Sequence, residues 1–186
     1  MTSLPNLLTL GRIAAIPLIV ATFYAGGEGS RWVALGLFVA AGATDFLDGW
    51  LARRLGVTSP LGRFLDPIAD KLLVAAVLIM LVAFGRLSAA AALAALVIVL
   101  RELLVAGLRE HLAELGVPLP VSRLAKWKTA AQMAALALLL VGTAAPPGIP
   151  AQEAGEVCLW LAALLTAVTG WDYLRVGLRH MGGTSP

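Results

Sequence analysis

The sequence predicts an all-α polytopic membrane protein, with six transmembrane helices behind a short amphipathic helix at the N-terminus. Three observations carry this. Hydrophobic residues make up 60% of the 186 and charged residues only 13%, whereas a soluble domain is about half apolar and about a quarter charged. Mean hydropathy is +0.89. Six apolar runs recur along the chain, separated by short glycine- and proline-rich segments, the pattern of helices that cross a bilayer and return. A chain of this length suggests one domain, 1–186.

The elements follow in order. Pro5-Asn6-Leu7-Leu8-Thr9-Leu10-Gly11-Arg12 sets Asn6 and Thr9 three apart, on one face of an interfacial helix. It has no basic leading region, so no cleavable signal is expected. The first run, Ile13–Ala25, ends at Gly26-Gly27 with Gly29. The others are Trp32–Thr44, Leu72–Phe84, Leu87–Leu100, Thr129–Ala145 and Val157–Val168. Turn residues lie at Gly56 to Pro60, Gly116 to Pro120 and Pro146-Pro147-Gly148.

Most runs fall short of the roughly 20 residues needed to cross about 30 Å of hydrocarbon. They must draft in their flanks. The second extends through Asp45 to Leu51, and the third is preceded by Phe64 to Lys71. The fourth continues through Arg101-Glu102 to Leu108, and the fifth begins near Lys126-Trp127-Lys128. Four helices therefore carry charge into one end.

With six spans, both termini and the loops after helices two and four share one side. Twelve of the fourteen Lys and Arg fall there or at adjoining helix ends: Arg12, Arg53, Arg54, Arg63, Lys71, Arg101, Arg109, Arg123, Lys126, Lys128, Arg175 and Arg179. Arg31 and Arg86 fall opposite, with Glu153 and Glu156. The positive-inside rule makes the basic side cytoplasmic. The charged helix ends land on that same side, so a water-reachable cavity is expected in the cytoplasmic half of the bundle.

Composition also narrows the chemistry. The lone Cys158 can form neither an intrachain disulfide nor a thiolate cluster. His111 and His180 are not in zinc-ligand spacing. Any metal must therefore be held mainly by carboxylates. The informative segment is Asp45-x2-Asp48-Gly49-x2-Ala52-Arg53-x8-Gly62-x3-Asp66-x3-Asp70. On a helix, Asp45, Asp48 and Ala52 share a face at i, i+3 and i+7, and Asp66 and Asp70 share one at i, i+4. A short connection makes the two helices antiparallel neighbours, so four carboxylates can converge at one depth. Packed together away from water they repel one another, and a divalent cation removes the conflict. Hard oxygen ligands suit Mg²⁺ or Mn²⁺, and several carboxylates could hold two ions. Salt bridges to Arg53, Arg54, Arg63 and Lys71 are the plain alternative, but acids within membrane segments are functional by default.

This segment resembles, at each of its fixed positions, the signature of the CDP-alcohol phosphatidyltransferase family. The resemblance implies six transmembrane helices, a homodimer, a cytosol-facing site in a bacterial-type inner membrane and two divalent ions. It also implies transfer from a CDP-linked lipid, CDP-diacylglycerol, with release of CMP. Carried over by residue, Asp45, Asp48, Asp66 and Asp70 are implied as metal ligands, with Asp70 also the general base. Asn6, Thr9, Gly49, Ala52, Arg53 and Gly62 are implied as the CDP-binding set, Gly62 also letting two helices pack closely.

Arg101-Glu102-Leu103-Leu104-Val105-Ala106-Gly107-Leu108-Arg109-Glu110 and Lys126-Trp127-Lys128-Thr129-Ala130-Ala131-Gln132-Met133 resemble the branch of that family whose acceptor is glycerol-3-phosphate. An acceptor with its own phosphate needs cations, and Arg101, Arg109, Lys126 and Lys128 can supply them. Flanking charge for Arg109, Lys126 and Lys128, and an ion pair with Glu102 for Arg101, are the competing readings. Inositol phosphate, serine or phosphatidylglycerol remain alternative acceptors. A divalent-cation transporter is a rival from another class, although transport favours acids spread along a path rather than gathered at one end. No nucleic-acid partner is expected.

Overall fold

The computed structural model describes residues 4–55, 60–117 and 123–181, with side chains for all of these except 4–5, 46, 48–55, 60–61, 63, 123 and 179–181. The described residues form helices joined by short turns, without a strand among them. Six α-helices follow in order: α1 Leu4–Ala25, α2 Gly27–Leu55, α3 Pro60–Ala83, α4 Ala89–Glu114, α5 Arg123–Val141 and α6 Ala151–Met181, with a 3₁₀ turn at Gly142–Ala144. Every helix outruns its apolar run, because the polar flanks are wound into the same element. Asp45 lies inside α2, Asp66 and Asp70 inside α3, Arg101 and Glu102 inside α4, and Lys126 and Lys128 inside α5.

The expected short amphipathic helix is not a separate element. Residues Leu4 to Arg12 are the opening turns of α1, which runs unbroken to Ala25. Four stretches are long and apolar enough to cross a membrane by length and composition, Asn6–Ala25, Ala89–Glu114, Leu124–Ala144 and Ala151–Leu178, among the described residues. At 26 residues, α4 is about 39 Å long. Its outward residues Leu93, Leu96, Leu100, Leu103 and Leu104 are all exposed, a surface suited to lipid rather than water.

The helices divide into two compact units. One comprises Met1–Arg86 with Leu136–Glu153. In it α1 packs on α2 and α3. The reversal between α1 and α2 is made by Gly26 and Gly27, at φ of 68° and 76°, backbone that residues with a Cβ rarely adopt. The core is drawn from Ile19 and Phe23 of α1, Ala34, Phe38 and Ala41 of α2, and Ala69, Leu73, Val77 and Leu81 of α3. These recur at helical spacing, and the alanines let backbones come close, which matters where lipid competes for apolar contact. Near the α3–α4 connection, Arg86 lies 4.3 Å over the Phe23 ring. Burial, and then the charge of Arg31, hold its pKa below the usual guanidinium value.

The other unit comprises Leu87–Ala135 with Ala154–Pro186. Ser88 caps α4, its Oγ accepting from the Ala91 amide at 3.1 Å and donating to Glu156 at 2.6 Å. The buried stripe of α4 is Ala91, Ala94, Ala95, Ile98, Val105 and Leu112. Arg101 and Glu102 fall in the gap between Ile98 and Val105, so the periodicity of the core carries an ion pair inward.

Candidate active site

The first unit gathers three of the four expected acids through α1. The buried face of α1 runs Asn6, Thr9, Arg12, Ile19 and Phe23. Its N-terminal end is thus polar, and the partners it meets are acidic. The Thr9 hydroxyl donates to Asp66 Oδ1 at 2.6 Å. Arg12 Nη1 sits 2.9 Å from Asp45 Oδ1 and 2.9 Å from Asp70 Oδ1. Asp45 continues the Ala34, Phe38 and Ala41 face of α2, while Asp66 and Asp70 flank the Ala69 and Leu73 stripe of α3.

Exposure separates the partners. The Arg12 side chain is 0% exposed, whereas Asp45 and Asp70 are 45% and 52% exposed. The guanidinium lies behind the carboxylates, which remain about half exposed. Since both Oδ1 atoms touch one nitrogen, Asp45 and Asp70 already converge on one point. Oxygen-only donors so arranged fit a hard divalent cation. No three acidic, histidine or cysteine side chains close on one point among the described residues. The side chains of Asp48, Gly49, Ala52 and Arg53 lie outside the described residues, although their backbone continues α2. Gly62 is buried in the opening turns of α3.

A second polar cluster lies in the other unit. Glu102 Oε1 accepts from Arg101 Nη1 at 3.0 Å and also from Lys128 Nζ. Arg101 Nη2 donates to Thr169 Oγ1 at 2.7 Å, and its guanidinium carbon is 5.8 Å from the Tyr173 ring centre. Both cations are 10% exposed and Glu102 17%. A Cβ at Gly170 would meet Arg101 Cγ at 2.8 Å, so the missing side chain is what lets Arg101 cross to α6. Gln132 Oε1, Thr166 Oγ1 and Arg101 Nε are buried without a protein partner. Two cations over one anion, with spare polar atoms beside them, suit a phosphate-bearing polyol.

Of the four expected phosphate-binding cations, Arg101 and Lys128 are brought together, while Arg109 and Lys126 are exposed. Arg12 is expected from the sequence only as flanking charge, and Glu102 only as an ion-pair partner for Arg101, a pair the structure contains; Gln132, Thr166 and Thr169 are not singled out. Their signal was present in spacing: Asn6, Thr9 and Arg12 recur every three residues, Gln132 is one turn from Lys128, and Thr166, Thr169 and Tyr173 fall at i, i+3 and i+7.

The chain is 47% identical over 173 residues to a CDP-diacylglycerol–glycerol-3-phosphate 3-phosphatidyltransferase of Rickettsia bellii, covering 93% of this chain and 94% of that one. It is 40% identical over 188 residues to a CMP-forming cardiolipin synthase of rice, covering 93% of this chain and 56% of that one. The fold matches a phosphatidylinositol phosphate synthase of Mycobacterium tuberculosis solved with manganese and citrate, at a TM-score of 0.69 and 20% identity, over 93% of this chain and 81% of that one. The family model described as CDP-alcohol phosphatidyltransferase matches residues 2–168. With that match across most of its length, and Asp45, Asp66 and Asp70 drawn to α1, the chain belongs to the CDP-alcohol phosphatidyltransferase family.

Proposed function

We propose that this protein is a membrane enzyme of phospholipid synthesis, transferring a phosphatidyl group from CDP-diacylglycerol to sn-glycerol-3-phosphate and releasing CMP. The observation that carries the reading is the gathering of Asp45, Asp66 and Asp70 by one helix. The 47% identity to a relative bearing that name selects the acceptor.

Asp45, Asp48, Asp66 and Asp70 would hold two divalent ions, Mg²⁺ or Mn²⁺, which supply charge neutralisation for the diphosphate and for the departing CMP. Asp70, half exposed, takes the proton from the 1-hydroxyl of the acceptor. The acceptor oxygen bonds to the phosphatidyl phosphorus as the bond from phosphorus to the CMP oxygen breaks. Thr9 fixes the Asp66 carboxylate by its hydrogen bond. Asn6, Gly49, Ala52, Arg53 and Gly62 line the path of the CDP group, the small residues leaving room for it. Arg101 and Lys128 bind the acceptor phosphate, with Arg109 and Lys126 attracting it electrostatically from exposed positions. Positioning and electrostatics do most of the catalysis, as in phosphoryl transfer generally.

The chain works as a single domain with six spans in a bacterial-type inner membrane, its site facing the cytoplasm. The support is the bias of twelve of fourteen basic residues to one side. Assembly as a homodimer belongs to the same reading. A second acceptor, phosphatidylglycerol, is favoured by the 40% identity to a cardiolipin synthase. Purified protein with CDP-diacylglycerol and Mg²⁺, offered each acceptor separately, decides between them. The reading expects CMP release with glycerol-3-phosphate and little with phosphatidylglycerol, serine or inositol phosphate. The reverse order would overturn it.

A further inference from the structure

Arg12 is the one fully buried cation among the described residues, and it contacts two signature acids from two different helices through a single nitrogen. We propose that Arg12 is the resident counter-cation of the aspartate site, a positioning residue that holds Asp45 and Asp70 at one point in the metal-free protein. The proposal rests on the metal-site reading above.

The physical argument concerns charge. Two carboxylates drawn to one point repel each other, and the cation between them removes that cost. Arg12 itself is stripped of water, so losing these acids would leave a buried charge less well compensated. Each therefore stabilises the other while the site holds no divalent ion. When a divalent ion binds, the carboxylates gain a stronger counter-charge on their exposed side and depend less on Arg12. The guanidinium then repels the incoming ion. Removing Arg12 should accordingly harm the metal-free state more than the metal-bound state. A thermodynamic cycle requires the converse: metal must stabilise the variant more than it stabilises the parent. Loss of preorganisation works the other way, but it acts on two side chains already fixed to packed helices, so the charge effect should dominate.

The test is thermal unfolding of full-length protein in detergent, with chelator and with Mn²⁺, for the parent, Arg12→Gln and Arg12→Lys. Arg12→Gln should melt well below the parent in chelator. Its Mn²⁺-induced rise should exceed the parent's by roughly 5 °C, with Arg12→Lys intermediate because one ammonium bridges two acids less well. If Arg12→Gln cannot be purified, Arg12→Lys decides alone: a larger Mn²⁺ rise than the parent's supports the proposal. A purely structural Arg12 would lower both melting temperatures alike, leaving the rise unchanged. That outcome overturns the proposal while the metal site stands. If the parent itself shows no rise with Mn²⁺, both the metal-site reading and the proposal fail.

Discussion

Replacing Glu102 by Gln removes one negative charge while keeping the side chain's shape and its Oε1 acceptor. Arg101 and Lys128 both rest on that oxygen, and each is only 10% exposed. The variant takes from two nearly buried cations the anion they share. Removing one member of a buried ion pair costs about 3–5 kcal/mol, and slight exposure places this site near about 3. For a chain of this size each kcal/mol moves the midpoint by about 2–4 °C, so a fall of about 6–12 °C is expected. Thermal unfolding in detergent, followed by intrinsic fluorescence, reads it. Lys128→Met removes one cation and keeps the Arg101–Glu102 pair, so it should cost less. The double variant should cost less than the sum of the singles, because its second change removes a cation the first left uncompensated. Glu110→Gln, exposed on the same helix, should change stability by less than about 0.5 kcal/mol. If Glu102→Gln melts within about 2 °C of the parent, the charge argument for this cluster is wrong.

Three further outcomes are expected. Asp70→Asn should lower kcat by roughly 10²–10⁴-fold in a CMP-release assay without unfolding the protein, since the amide cannot take the acceptor proton; near-parental turnover would remove Asp70 from that role. Arg101→Ala should raise KM for glycerol-3-phosphate roughly 10- to 100-fold, the loss of charge-assisted bonds to a phosphate, while KM for CDP-diacylglycerol stays within about twofold. Gly170→Ala and Gly107→Ala should act in opposite directions on melting temperature. The first drives a Cβ to 2.8 Å from Arg101 Cγ, while the second meets nothing within 4 Å. Overpacking costs about 1–3 kcal/mol and outweighs the roughly 1 kcal/mol helix gain at Gly170, whereas Gly107 keeps that gain.

The sequence by itself determined the membrane class, the approximate helices and the faces on which Asp45, Asp66 and Asp70 lie. Composition and periodicity are local properties, and a spacing of three or four residues fixes an angle around a helix whatever its neighbours are. Extending the apolar runs through their charged flanks came within a few residues of the helix ends: α3 starts at Pro60 rather than Phe64 and α2 ends at Leu55 rather than Leu51, because the backbone continues where hydropathy gives out. The sequence also separated an N-terminal helix that is continuous with α1. Which charge meets which was a tertiary decision. Arg12 reaches Asp70 across 58 residues, and Lys128 reaches Glu102 across 26. Along the chain, Arg12, Lys126 and Lys128 look alike as basic residues flanking apolar runs. Only packing buries the first and third among acids and leaves Lys126 exposed, because a residue's own period sets its face but not the helix that covers it.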